Sequence, residues 1–346
     1  MDTQWFLGGN TAQGFVSRFG DLHEDPRVKE LVILKGGPGC GKSTFMKRLR
    51  DTANRLGADT ESYPCSSDPD SLDGLLVMPI GFAVVDGTSP HVVEPQLCAC
   101  DGIYLNLGCF YDAAGVKSQE ATLRALKKEN ALLYPAAYAH LSAARALREC
   151  AAQTLEKQDA KGLYRLTRML VQEPNSKCTG RGRLREVFLH TFTPKGEIRL
   201  SDTLTSYGSV IGIHDPYGVS VPMLARIREK YLDAGYDVIC ALDPLEPTNP
   251  EAMLIPEAGM AFVSGEKYPS CAISAELSHF MRPTEESEKL LEASRAHRAQ
   301  AVELLQRAKA IHDELEACYR PYVSFEGLDL LTQEYQKKLK AMLLQK

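Results

Sequence analysis

The 346-residue chain contains no C-x-x-C pair, although it carries ten cysteines. Cys40, Cys65, Cys98, Cys100, Cys109, Cys150, Cys178, Cys240, Cys271 and Cys318 are scattered, and only Cys98 and Cys100 stand close together. That spacing argues against zinc ligation or a disulfide framework and predicts reduced thiols in a cytoplasmic protein. No apolar run approaches the roughly 18–20 residues that cross a bilayer, so no membrane partner is expected. The first residues, MDTQWFLGGN, lack the basic region and long apolar core of a signal peptide. Positive charge is also in deficit: the net charge of −5 gives no overall attraction to nucleic acid. What is present is ordinary globular composition, 44% apolar and 25% charged, at a length that suggests two domains.

Against that plain background one stretch stands out. The segment KGGPGCGKST, Lys35 to Thr44, follows the apolar run Leu31–Leu34 and precedes a helical pattern. Gly36, Gly41, Lys42 and Ser43 satisfy the spacing G-x-x-x-x-G-K-[ST] in the strand–loop–helix context the motif requires. Glycines let backbone N–H groups wrap phosphate oxygens, and the following helix points its positive end at the same place. The spacing therefore predicts a nucleotide site built from Gly36, Gly37, Pro38, Gly39, Cys40, Gly41, Lys42, Ser43 and Thr44. Lys42 is expected on the β- and γ-phosphates and Ser43 on Mg²⁺. Asp86, which ends the apolar run GFAVVD, is the expected carboxylate on the Mg²⁺ side. Cys40, beside a helix N-terminus, is a candidate for an acidified thiol, with a small loop-filling residue as the plainer reading.

The sequence also repeats itself. Shifting the chain so that Leu31 falls on Ser209 lays Leu31–Gly87 over Ser209–Gly265 without a gap, and thirteen pairs are identical. They include Val32/Val210, Pro38/Pro216, Gly57/Gly235, Asp59/Asp237 and Gly87/Gly265. In this alignment Gly36 becomes His214, Gly41 becomes Val219, Lys42 becomes Ser220, Ser43 becomes Val221 and Asp86 becomes Ser264. The second copy keeps turn and packing residues and loses the ammonium, hydroxyl and carboxylate together. The expected fold is thus α/β: two tandem P-loop NTPase-like units with mainly parallel sheets flanked by helices, each with a helical extension. The expected domains are 1–178, with a helical insertion over about 119–171 interrupted at Pro135, and 179–346, ending in a helical hairpin. Leu304, Ala308, Ile311, Leu315 and Cys318 form a short heptad seam in that tail.

The segments GGNTAQGF, ILKGGPGCGKSTFMKRL, CSSDPDSLDG and FAVVDGTSPHVVEP together resemble a family of uncharacterised tandem P-loop ATPase-like proteins of Clostridium-type Gram-positive bacteria. The likeness covers nearly the whole chain. It implies that Gly36–Thr44 is the phosphate loop, that Asp86 is the Mg²⁺-side acid, and that ATP is bound and hydrolysed. The family's second copy often keeps its own P-loop, and this chain departs from the pattern there.

Other residues carry possible chemistry. Asp68, Asp70 and Asp73 lie in a loop expected at the ligand crevice, where they orient water or serve only as turn formers. No glutamate follows Asp86, so Glu94, or His91, is the candidate catalytic base, and turnover is expected to be slow. Arg181, Arg183 and Arg185 read either as phosphoryl-stabilising side chains or as a solvated linker. The leading expectation is an ATP-binding, Mg²⁺-dependent hydrolase or nucleotide switch with catalytic residues Lys42, Asp86 and Glu94 and with ATP and Mg²⁺ as cofactors. The alternatives are a small-molecule or nucleotide kinase, with arginines such as Arg124, Arg145, Arg148, Arg165 and Arg168 in a lid, and a nucleotide-gated module that engages a protein partner. The absence of an N-K-x-D tetrapeptide favours ATP over GTP, and nucleic acid is not an expected partner.

Overall fold

The structure is a computed structural model and describes residues 2–95, 97, 99–157, 159–170, 174–177, 180–266, 273–277 and 280–345. Cys98, Cys178 and Cys271 lie outside the described residues, and no disulfide joins the described cysteines.

The first sheet is built from β1 (Asp2–Gln4), β4 (Glu30–Lys35), β5 (Thr60–Pro64), β6 (Leu72–Val77), β7 (Phe82–Asp86) and β8 (Ile103–Asn106), in the order β1-β5-β6-β7-β4-β8. The second repeats this order with β10 (Leu184–Val187), β13 (Ser209–His214), β14 (Val238–Asp243), β15 (Glu246–Ile255), β16 (Met260–Gly265) and β17 (Ile273–Glu276), as β10-β14-β15-β16-β13-β17. In both, only β6 or β15 runs antiparallel to its neighbours. Short hairpins β2 (Gly8–Thr11)–β3 (Gly14–Ser17) and β11 (His190–Thr193)–β12 (Gly196–Arg199) precede each glycine-loop strand. They explain why TAQGF and TPKGE recur: each is a tight turn, with Gly14 and Gly196 at φ +102° and +107°.

The strands are apolar on both sides because each sheet is covered twice. Val32 and Leu34 face outward onto α1 (Lys42–Arg55), while Leu31 and Ile33 face inward. The inward sides of the two sheets share one core: Leu31, Ile33, Leu76, Ala83 and Val85 meet Ala241, Ala252, Leu254, Ala261 and Val263. The alanines on the second sheet let the layers approach. Helices cover only the outer faces, α5 (Val221–Asp233) on the second sheet and α1 with α7 (Phe325–Leu344) on the first. The repeat leaves open whether the C-terminal helices pack on their own or on the other copy's core. In the structure α7 returns to the first, where Leu328 and Leu339 join the core around Phe45 and Leu49.

The long helices pack on each other and against the hairpins. α2 (Ala113–Ser118) leads into α3 (Glu120–Gln153), followed by β9 (Glu156–Lys157) and α4 (Ala160–Leu170). α6 (Glu285–Tyr319) starts after β18 (Met281–Arg282), which pairs with β9. Thr284 caps α6 in a reciprocal box with Ser287. α3 and α6 pack antiparallel: Ser294 donates to the Ala144 carbonyl, His140 meets His297, and Gln119 reaches Tyr322. The expected seam is real in part. Ala308, Ile311 and Leu315 are buried, the first two against Leu133 of α3 and not in a hairpin with α7, while Leu315 lines the cavity described below. The expected break at Pro135 is absent, and α3 continues through it. Leu133 and Ala137 on either side are buried against the rod's core, so tertiary packing outweighs the missing hydrogen bond. No described helix is long and apolar enough to cross a membrane.

Candidate functional site

The loop from Gly36 to Gly41 joins β4 to α1 at the carboxyl end of the sheet. Gly39 and Gly41 have φ of +71° and +87°, a region that L side chains seldom adopt. A Cβ on Gly41 would also stand 2.3 Å from the Leu328 side chain. The Lys42 ammonium donates to the Gly36 and Gly37 carbonyls at 2.6 and 3.0 Å and lies 3.5 Å from Asp86 Oδ2. β7 pairs in register with β4, so Asp86 sits directly beside Leu34 and faces the loop. Its other oxygen accepts from the Thr88 N–H and hydroxyl. Ser43 Oγ accepts from the Leu72 N–H at 3.0 Å. Pro38 is held by the Tyr111 hydroxyl, which donates to its carbonyl.

Two features of the loop were not legible beforehand. The Gly39 N–H donates to the Glu316 carboxylate at 3.2 Å, so an acid from the end of α6 occupies one of the loop's donors. The hydrogen bond from His312, with this N–H, holds the Glu316 carboxyl below its ordinary range. Cys40 is buried, and burial pushes its thiol up despite the nearby Lys42, which agrees with the plainer reading of a small loop-filling residue and not with an acidified thiol.

The loop opens into a cavity of about 1570 Å³. Thr44 and Lys47 of α1 line it, as do Asp68, Asp73, Asp86 and His91. Its roof is the adjoining end of the helical rod, with Lys117, Arg124, Lys127 and Arg320 along it. Glu94 is not brought there. It is exposed and held by Lys35 at 2.6 Å and by the Tyr104 hydroxyl, which lowers its carboxyl and leaves it outside the cavity lining. The three aspartates separate: Asp68 accepts from Ser71 in a turn, Asp70 is exposed against Lys195, and Asp73 is buried facing His91. The arginines of the linker are structural. Arg181 and Arg183 pair with Glu229, Asp233 and Asp237, and Arg185 binds buried Glu61 of the first sheet. Of the lid arginines only Arg124 lines the cavity.

The second loop differs from its expected form by one residue. Glu30 pairs with Phe82 where Ser209 pairs with Met260, so Lys35, not Gly36, corresponds to His214. The helices keep the original shift, since Phe45, Met46 and Leu49 match Met223, Leu224 and Ile227 in burial. Residues 36–41 therefore face residues 215–219, and the second loop is shorter by one. Gly36 corresponds to Asp215. Its buried carboxylate accepts from the N–H groups of Tyr217 and Ser220 at 3.2 and 2.6 Å, so the second loop closes on its own acid. At the Lys42 and Asp86 positions, Ser220 and Ser264 share a 2.6 Å hydrogen bond.

No family model, curated protein or solved structure matches the chain.

Proposed function

We propose that the chain binds a nucleoside triphosphate, ATP, with Mg²⁺ at Gly36–Thr44 and hydrolyses it slowly, the second copy being structural or regulatory. The observation that carries this is the Lys42–Asp86 pair at the head of a glycine loop that opens on a large cavity. Lys42 would exchange the Gly36 and Gly37 carbonyls for phosphate oxygens without moving far, since its ammonium already stands inside the loop. Ser43 Oγ and Asp86 are the oxygen donors that would hold Mg²⁺, a hard cation that keeps several waters. The ion would neutralise charge on the transferring phosphoryl group. With Glu94 paired to Lys35 and outside the cavity lining, the expected base does not stand at the loop, which fits slow turnover. Membership of a tandem P-loop family belongs to the same proposal and rests on the motifs alone.

A kinase reading has one observation in its favour. The cavity exceeds the roughly 300–1,000 Å³ of a site for one small ligand, and its roof is rich in lysine and arginine. Calorimetric titration with ATP, GTP and ADP, with and without Mg²⁺, tests the first reading. No saturable binding of any of them would end it. Product analysis with phosphorylated and unphosphorylated acceptors separates hydrolysis from transfer.

A further inference from the structure

We propose that Cys65, Asp73 and His91 form a binding site for a divalent transition metal, Zn²⁺, with one open position facing the cavity. The three come from different segments: Cys65 follows β5, Asp73 lies in β6, and His91 follows β7. Their donor atoms all lie within 4.8 Å of one another, and His91 Nε2 is 3.1 Å from Asp73 Oδ2. Tetrahedral bonds of about 2.0–2.3 Å imply donor separations of roughly 3.3–3.8 Å. The cluster needs to contract by only about 1 Å to meet them.

Three observations point to a cation. Asp73 and His91 are only 5% and 6% exposed, yet the buried His91 Nδ1 has no hydrogen-bond partner among the described residues. Orphaned buried atoms of this kind call for an explanation such as an ion. Next, the second sheet contains the same irregularity. Tyr63 and Pro64 skip Asp73 in pairing with β6, as Ala241 and Leu242 skip Glu251 in pairing with β15. There Glu251 is met by Arg199, and Asp243, the counterpart of Cys65, is met by Arg148. Among the described residues no lysine or arginine forms an ion pair with Asp73. The first copy thus offers a thiol, an imidazole and a carboxylate where the second supplies guanidinium groups. Finally, the surroundings fit a ligand set. Phe15 and Phe19 hold the His91 ring edge-on at 5.0 and 5.1 Å, and the Ser67 N–H points at Cys65 Sγ.

Thiolate and imidazole donors select Zn²⁺ over Mg²⁺, so this site is distinct from the one at Ser43 and Asp86. All three residues line the cavity, and the fourth position is left to water or a ligand there. Binding releases the Cys65 thiol proton, and any proton shared by His91 and Asp73, to solvent.

The test uses the full chain and Co²⁺ as a spectroscopic probe, with metal content measured after exposure to Zn²⁺. One ion per chain is expected, with a thiolate-to-cobalt charge-transfer band that Zn²⁺ abolishes. Cys65→Ser should remove the band, and Asp73→Asn and His91→Gln should each weaken binding at least tenfold, with folding verified by circular dichroism. Lys42→Ala removes a neighbouring cation and should not weaken metal binding, so failure of the nucleotide reading does not touch this one. A folded parent protein with no cobalt–thiolate band, or a band that survives Cys65→Ser, overturns the proposal.

Discussion

Lys42 donates to the Gly36 and Gly37 carbonyls inside the loop, and the proposed nucleotide site makes its removal informative. A hydrogen bond to a charged group contributes about 1.5–3 kcal/mol, so Lys42→Ala should weaken ATP binding by about 10- to 100-fold in calorimetry. Asp86→Asn should reduce Mg²⁺-dependent turnover far more than Mg²⁺-free binding, which a paired assay reads directly. Glu316 acts in the opposite sense. Its carboxylate competes for the Gly39 N–H, so Glu316→Ala should tighten ATP binding by about two- to tenfold, the scale of one net hydrogen bond. His190 gives a pH signature away from the site. Burial pushes this imidazole down, but Glu251 and Glu197 outweigh that and raise it from 6.5 to about 9. Its contribution to stability is complete below pH 6.5 and is lost as pH rises through about 9. Glu251, held at about 2 against 4.5, contributes above pH 4.5 and loses its effect as pH falls toward 2. Denaturant titrations should show this pair at full strength between pH 4.5 and 6.5, and His190→Gln should flatten the decline above 6.5. Lys42 and Ser43 could be singled out in the sequence because loop spacing reflects local backbone chemistry, and Asp86 because it ends an apolar run. Glu316, Cys65 and Asp73–His91 were not, because they meet only through the fold.

At the scale of single elements, the glycine loop and its strand were readable from a continuous apolar run followed by a helix start. Strand β6 was missed, since its apolar residues follow a turn-rich stretch that masks them, and so were the hairpins. The gap-free alignment hid a deletion because one missing loop residue is invisible until strand register is known. Asp215 fills the shortened loop, and one nucleotide per chain is therefore the expected calorimetric stoichiometry; a value near two would show the second loop to be active. Helix α3 carries Pro135 in its interior, a residue that costs about 3 kcal/mol relative to alanine. Pro135→Ala should raise stability by about 1–3 kcal/mol, measured by urea unfolding. Ala308→Leu, which overfills the α3–α6 contact, should lower it by a similar amount.

For the whole molecule, the internal repeat points to two units divided near residue 178, and the two sheets of those units share one core. Periodicity along a chain reports which face of a strand is apolar, not which partner covers it. Residues 1–178 made alone would expose Leu31, Ile33, Ala83 and Val85, and this fragment should aggregate or bind a hydrophobic dye where the full chain does not. The return of α7 to the first sheet carries a consequence in time. The glycine loop is translated early, yet Glu316 and Leu328, which close on Gly39 and Gly41, arrive more than 270 residues later. During synthesis the loop therefore waits, its donors open to solvent, until the last helices emerge from the ribosome. A nucleotide held at the proposed site at that stage would meet the closing helices as an obstacle or as a template.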